Sequence, residues 1–455
     1  MNPPNILMIT LDQWRYDWLG YAGKISIETP RIDSLIKGGT YFSQTVCNGS
    51  TCVPSRAAIY SGIYPHRLGV LTNEHTYPLK QQTFFQALRQ NGYYVGGFGK
   101  LEFQKSKADY GEHGDSPVNY HLGFTHPFEV EGKMTSAKSK GEKLIGPYQR
   151  YLSRKGKLSS HIKEYKEREE KPIFYTKCSP HNPEDTLDQF IFDQAEGFIK
   201  SRSEDRPWFC GVNFVSPHDP WNATEEWFHR YKESDFPHSI SSNLNDEMKP
   251  LWVRKRQETF RDGLTSEKMN DVKRHYAGMI SYMDYLIGRL VDTLVECQFD
   301  QNTIIIITSD HGEMLGDHGL FRKQVMYEGS VRVPLVIVDP RKDQVEKVDK
   351  LTELVDLFPT ILAFADIHSS QKIDGKSLLP LLTNENAQHK EEQLSLWENT
   401  EMLRTNQYKY IRNFNDQDEL YDLIQDPFEL HNIIEEENAV SQNMHKRLLE
   451  LKGNN

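Results

Sequence analysis

Five runs of apolar, largely β-branched residues break off abruptly at polar positions along this chain: Asn5 to Leu11, Tyr93 to Phe98, Trp208 to Val215, Thr303 to Thr308 and Val333 to Val338. They are apolar almost throughout rather than at alternate positions. That predicts strands buried on both faces, as in a parallel sheet covered by helices. Helical spacing fills the intervals, as in Gln82 to Asn91. The longest stretch, Ser266 to Glu296, places Tyr276, Ile280, Met283, Ile287, Leu290 and Leu294 on one core-facing stripe. The expected fold is α/β, a large and mostly parallel sheet flanked by helices, with ligands at the carboxyl ends of its strands.

Two regions depart from that texture. Residues from about 104 to 185 lack strand signals and are rich in Lys, Glu, Gly and Ser, which marks an insertion of the kind that forms lids or partner surfaces. Its Lys/Arg cluster from Lys138 to Lys157 reads first as a solvated face and second as a contact for an anionic polymer. A larger α/β domain is therefore expected over 1–365, with a smaller α+β subdomain over 366–455. In the latter, Leu394 to Glu398, Met402 to Arg412 and Glu419 to Leu423 predict a small antiparallel sheet, closed by a helix from about Val440 to Leu451.

Composition narrows the partners. The chain has 455 residues, with 54 Lys plus Arg against 65 Asp plus Glu, a net charge of −11 that argues against nucleic acid. Five cysteines, an odd number with no CxxC pair, argue against a disulfide framework or a four-thiolate zinc site and leave at least one thiol over. No apolar run reaches the roughly 18 residues of a membrane span. Ile6 to Leu11 ends at Asp12 without a basic residue ahead or a cleavage site behind, so a cytoplasmic location is expected. The alternative is a periplasmic or secreted protein whose leader was removed ahead of Met1. Self-association to a homo-oligomer is left open.

The first strand run delivers Asp12 and Gln13 at its carboxyl end, and the fourth delivers Asp310 and His311. Carboxylate and amide oxygens suit a hard divalent ion such as Ca²⁺ or Mg²⁺, whereas imidazole leans toward softer metals. The sharpest local signal is Cys52-Val53-Pro54-Ser55-Arg56. Pro54 fits the first turn of a helix, which would hold Cys52 at the helix N-terminus, where amides favour an anion and Arg56 adds a fixed charge one turn on.

Cys-x-Pro-x-Arg with Ser61-Gly62 downstream resembles the signature of the type I sulfatases, members of the alkaline phosphatase superfamily. Further matches run in order along the chain: Asn5 through Gln13, Tyr64 through Val70, Gly99-Lys100, Ser216-Pro217-His218, Ser309-Asp310-His311-Gly312-Glu313 through Lys323, and Glu419 through Leu423 with Asp426-Pro427 and Asn432. The resemblance implies hydrolysis of sulfate monoesters, most simply of a sugar or other small alcohol. It implies that Cys52 is oxidised to formylglycine by a formylglycine-generating enzyme and that the hydrated aldehyde attacks sulfur to give a covalent sulfo-enzyme. The implied metal set is Asp12, Gln13, Asp310, His311 and position 52. It would hold one divalent cation, by default Ca²⁺, with Mg²⁺ or Mn²⁺ as the other ions such donors accept. Arg56, Lys100, His218 and Lys323 would neutralise and hold the sulfate, with His218 or Lys323 protonating the leaving group. Asp310 would accept a proton from the nucleophile, and His66 would orient its neighbours. Trp221 reads as a packing residue or a sugar-stacking platform, and His181 and His318 have no assigned role.

Two departures stand out. Glu102 occupies the place of a histidine that the family commonly carries two residues after the Gly-Lys lysine. A carboxylate there can act as a base but repels sulfate unless a cation compensates it. Gln13 stands where many sulfatases carry a second Asp, and the set Asp-Gln-Asp-His resembles the phosphonate monoester hydrolase and phosphodiesterase branch, the runner-up activity. An inactive anion-binding homologue is the third reading.

Overall fold

The computed structural model describes residues 3–105, 110–138, 144–170, 175–232, 236–241, 248–261 and 263–453. Its strands are β1 (Asn5–Asp12), β2 (Thr40–Phe42), β3 (Thr45–Val46), β4 (Tyr94–Gly99), β5 (His126–Glu129), β6 (Trp208–Pro217), β7 (Thr303–Ser309), β8 (Leu335–Val338), β9 (Lys347–Val348), β10 (Thr352–Glu353), β11 (Gln393–Trp397), β12 (Thr400–Arg404), β13 (Tyr408–Asn413) and β14 (Glu419–Asp422). Eight form one sheet in the order β5-β4-β6-β1-β7-β8-β2-β9. β1 lies in the middle, buried at every position and parallel to both β6 and β7. The Ser266–Glu296 helix covers the sheet, and all six residues of its expected stripe are buried.

Register decides what the sheet can do. Gly99 of β4 sits opposite Asn213, Asp12 opposite Pro217, and Leu11 opposite Ser309. Four parallel strands thus end at one edge, and the residues that follow them, Lys100, Gln13, His218 and Asp310, emerge side by side. This is the carboxyl-end crevice of an α/β sheet.

Three details differ from expectation. The run Val333 to Val338 does form a strand, but β8 is antiparallel to β7. No long crossover helix separates them, so the chain makes an excursion over residues 310–334 and comes straight back. The insertion also contains a strand. β5 pairs parallel with β4 at the sheet's edge, and its composition, His-Pro-Phe-Glu, carries no strand signal because an edge position tolerates proline. Of the Lys138 to Lys157 cluster, residues 139–143 lie outside the described residues. Finally, Met402 to Arg412 is two strands, β12 and β13, with a turn between them.

The C-terminal strands form an antiparallel sheet in the order β11-β12-β13-β14. The Asn438–Lys452 helix sets Met444 and Leu448 in a core with Leu394, Leu403 and Leu420. This sheet is tied to the loop ahead of Cys52, where the Leu396 amide donates to the Asn48 carbonyl at 3.1 Å. Among the described residues no helix is long and apolar enough to cross a membrane.

Candidate active site

Cys52 is the first residue of a helix, Cys52–Ser61, that is buried along its whole length. Its Sγ lies 3.3 Å from His311 Nε2, 3.4 Å from Lys100 Nζ and 3.9 Å from Asp12 Oδ1. The Val53 amide next to it is taken by Asn73 Oδ1 at 3.0 Å. One turn on, Arg56 is 1% exposed and binds three other elements. Its Nε donates to Asp310 Oδ2 at 2.9 Å, and its Nη1 to Asn213 Oδ1 at 3.0 Å and to the Lys100 carbonyl. Its Nη2 has no partner among the described residues.

Asp12, Cys52, Asp310 and His311 offer ligand atoms within 4.8 Å of one another, all buried. Hydrogen bonding fixes how they face. Asp310 Oδ1 accepts the amides of Gln13 and His311, and Oδ2 accepts from Arg56. His311 Nδ1 donates to the Gly312 carbonyl at 3.0 Å, an acceptor only, which leaves Nε2 facing position 52. Two carboxylates, an imidazole nitrogen and the side chain at 52 fit a divalent cation that accepts oxygen with one nitrogen. Gln13 has a positive φ of 70°, and its side chain turns away from this group. Its Oε1 accepts from Lys323 Nζ, and its Nε2 donates to Glu313 and, at 3.3 Å, to Asp219.

The field at position 52 is cationic. Burial pushes the Asp12 carboxyl up, as does the adjacent sulfur, but Lys100, His218 and Lys323 outweigh them and hold it below the usual carboxylate range. Burial likewise opposes ionisation of Cys52, and Lys100, Lys323, Lys105 and His311 reverse it, drawing the thiol well below its ordinary value. Lys100 bonds Asp12 directly. Burial disfavours its charge, yet Asp12, Cys52 and Glu102 hold the ammonium protonated well above the usual range.

His218 and Lys323 form the opposite wall. His218 Nδ1 meets the Asp219 carbonyl, which accepts only, so Nε2 is the acceptor for Lys323 Nζ at 2.6 Å. Glu102 adopts a positive φ of 57°. Its Oε1 lies 3.3 Å from Lys100 Nζ and 2.8 Å from Lys105 Nζ, while Oε2 is buried without a hydrogen-bond partner among the described residues. Lys105 is the extra cation that this carboxylate requires.

The structure therefore brings together Cys52, Arg56, Lys100, Glu102, His218, Lys323, Asp12, Asp310 and His311, whereas the side chain of Gln13, expected among the metal ligands, bonds Lys323, Glu313 and Asp219. The peripheral expectations fall elsewhere. Trp221 is 2% exposed and packs near Phe321, so it offers no stacking face. His66 lies against Tyr64 and the Lys452 carbonyl, His181 pairs with His161, and His318 stacks on Tyr327. Four participants escaped sequence reasoning: Asn213, Asp219, Lys133 and the anchoring role of Glu313. Asn213 had a readable signal, being the one polar side chain inside the Trp208 to Val215 run. Lys133 comes from the insertion and lines, with Lys100, Glu102 and His218, a cleft of about 780 Å³.

Comparison with known proteins bears on this arrangement. The sulfatase family profile matches residues 4–367, and the profile named N-sulphoglucosamine sulphohydrolase, C-terminal, matches residues 316–454. The arylsulfatase of Clostridium perfringens is 28% identical over 454 residues, covering 95% of this chain and 91% of its own. The choline-sulfatase of Rhizobium meliloti is 27% identical, covering 95% and 82%. In fold, the chain resembles the phosphonate monoester hydrolase of Agrobacterium radiobacter, with a TM-score of 0.82, 24% identity and coverage of 99% and 95%. The match to the sulfatase profile runs through both halves of the site, from Asp12 and Cys52 to Asp310 and Lys323, and the chain belongs to the sulfatase family, hydrolases of sulfate esters within the alkaline phosphatase-like superfamily.

Proposed function

We propose that the protein hydrolyses sulfate monoesters of a sugar or other small alcohol, with a formylglycine nucleophile derived from Cys52 and one divalent cation, by default Ca²⁺. The observation that carries this reading is the position of Cys52, which is buried at a helix N-terminus within 3.9 Å of Asp12, His311 and Lys100 together. Such a field neutralises the charge of an anionic ester as a nucleophile at this position approaches it.

The hydrated aldehyde would supply one hydroxyl for attack and a second whose deprotonation releases sulfate without water attacking sulfur. A cation held by Asp12, Asp310, His311 and position 52 would supply further positive charge to the sulfate oxygens. The remaining work belongs to the chain. Arg56 Nη2 and Lys100 hold the sulfate. Asp310, clamped by Arg56 and two amides, is oriented for proton acceptance. The Lys323–His218 pair holds the proton that a departing alkoxide needs. Glu102, neutralised by Lys100 and Lys105, is the base for breakdown of the sulfo-enzyme.

Gln13 supports a second reading, a phosphonate monoester or phosphodiester hydrolase, because a neutral amide replaces a carboxylate beside Lys323. The two readings separate by assay of purified protein co-expressed with a formylglycine-generating enzyme. Intact mass should first show the loss of about 18 Da on converting Cys52 to an aldehyde. Turnover of an aryl sulfate should then exceed that of the matching aryl phosphonate. A preference for the phosphonate by orders of magnitude would make the second reading the right one, and unmodified protein from a competent host would sink the nucleophile assignment.

A further inference from the structure

The cleft that Lys100, Glu102 and His218 share with the insertion is much larger than a sulfate, about 780 Å³, and its lining is rich in lysine. Lys105, Lys133, Lys138 and Lys166 line it, all contributed by the insertion, in a chain whose net charge is −11. Among the described residues the two carboxylates in the lining are already paired. Glu102 meets Lys100 and Lys105, and Asp219 meets Arg322 at 2.9 Å. Lys138 and Lys166 are exposed and have no carboxylate partner among the described residues.

Lys133 is the telling member. It is 8% exposed, and among the described residues its ammonium donates only to the His218 carbonyl, at 3.0 Å. An ammonium has three donors, so two remain to be met. The carboxylate of Asp188 makes its hydrogen bonds to the Val215 and Ser216 amides and the Ser216 hydroxyl, so it and Asp219 act on Lys133 through their charge alone and do not offset its burial. Burial lowers the Lys133 pKa to about 8. A cation in that condition is stabilised by any anion brought alongside it.

We propose that the preferred substrate carries a second anionic group, a carboxylate or a further sulfate, on the same small molecule as the scissile sulfate, with Lys133 as its main contact and Lys138 and Lys166 attracting it from the rim. This rests on position 52 being the sulfate-hydrolysing centre. A cationic alcohol such as the choline of a related enzyme would meet repulsion in this cleft.

The test uses full-length protein with conversion of position 52 verified by mass. It compares kcat/KM for an aryl sulfate, a neutral monosulfated hexose, the same hexose with a second sulfate, a sulfated uronate, and choline sulfate. A second charge-assisted contact should favour the doubly anionic sugars over the neutral one by about tenfold, the equivalent of about 1.4 kcal/mol. The better of the two sources then identifies the group. That selectivity ratio should fall toward one in Lys133→Met. The ratio is the readout because any displacement of His218 by this substitution slows all substrates alike. If Lys133→Met fails to fold, the paired change Lys138→Ser with Lys166→Ser should lower the ratio about threefold at low salt and less at high salt. A ratio of one or below in the wild type, or a preference for choline sulfate, with normal turnover of the aryl sulfate, would overturn the proposal. Failure to turn over any sulfate would instead overturn the reading of position 52.

Discussion

Replacing Arg56 by methionine keeps most of the side-chain volume and removes the charge, and its consequences follow from the contacts. Arg56 is 1% exposed, and its Nε is the partner of Asp310 Oδ2 at 2.9 Å, itself fully buried. Removing one member of a buried ion pair leaves the other charged and unpaired, at a cost of about 3–5 kcal/mol. At about 2.1 cal/mol/K of unfolding entropy per residue, the 455-residue chain carries about 1 kcal/mol/K, so the midpoint should fall by about 3–5 °C. A divalent cation among Asp12, Asp310 and His311 would take over part of the compensation. The loss should therefore be largest in chelator and roughly halved in saturating Ca²⁺. Thermal melts of both proteins under the two conditions, followed by calorimetry, measure this directly. Equal midpoints in chelator, or a larger loss with the cation than without it, would show that Asp310 does not depend on Arg56 in the way the geometry requires.

Other substitutions probe single roles. Cys52→Ser should fold normally and lose at least about 10⁴-fold in steady-state turnover, since a serine ester lacks the second hydroxyl that releases sulfate; turnover near wild type would remove the need for the aldehyde. Lys323→Met should cut turnover of an alkyl sulfate by about 10²–10⁴-fold and that of an aryl sulfate, with its better leaving group, by under about tenfold. Equal losses would mean that Lys323 binds sulfate and donates no proton. Glu102→His should raise the steady-state rate on an aryl sulfate if breakdown of the sulfated enzyme is slow, and an unchanged rate would count against Glu102 as its limiting base. Far from the site, burial raises the Asp284 carboxyl from 3.8 to about 7 although it accepts the Arg31 and Ile32 amides. The folded chain then keeps a proton that the unfolded chain gives up, so the contribution of this group makes stability fall as pH rises from about 4 to about 7. Measured against Asp284→Asn in urea melts, the wild type should lose relative stability over that range, and a difference that does not vary with pH would rule Asp284 out as the titrating group.

What could be read in advance follows from how local each signal is. The strand ends at Asp12 and Asp310 were legible because an apolar run that stops at a carboxylate marks both the strand and its terminus. Their proximity followed from the sheet being mostly parallel. Cys52 and Arg56 were legible because a helix N-terminus is built from adjacent residues. Asp219 was not, since it acts through its carbonyl on the His218 ring, a role that side-chain type does not encode. Lys133 was hidden among the many lysines of the insertion. Only the packing of that segment over His218 distinguishes it from the exposed Lys138. β5 was missed for a related reason: an edge strand of His, Pro, Phe and Glu is held by its neighbour β4, not by its own propensity.

The return of β8 alongside β7 bears on how the site could fail. The excursion over residues 310–334 is anchored at both ends to one ladder and folded on itself, with the Gly312 and Glu313 amides donating to the Ser330 and Gly329 carbonyls at 2.8 Å. Inside it Leu315, His318, Arg322 and Gln324 hold φ values of 48°, 55°, 68° and 78°, each a conformation that costs about 1–3 kcal/mol. Glu313 Oε1 collects the amides of Leu315 and Arg322 and keeps the loop wound. One wall of the site thus behaves as a sprung latch with Glu313 as its clasp. Were the clasp released, the turn beside Arg322 would relax and draw Lys323 away from His218 and Gln13, while Asp310 stays clamped by Arg56 and two amides, so damage here should cost protonation of the leaving group before it costs the rest of the site.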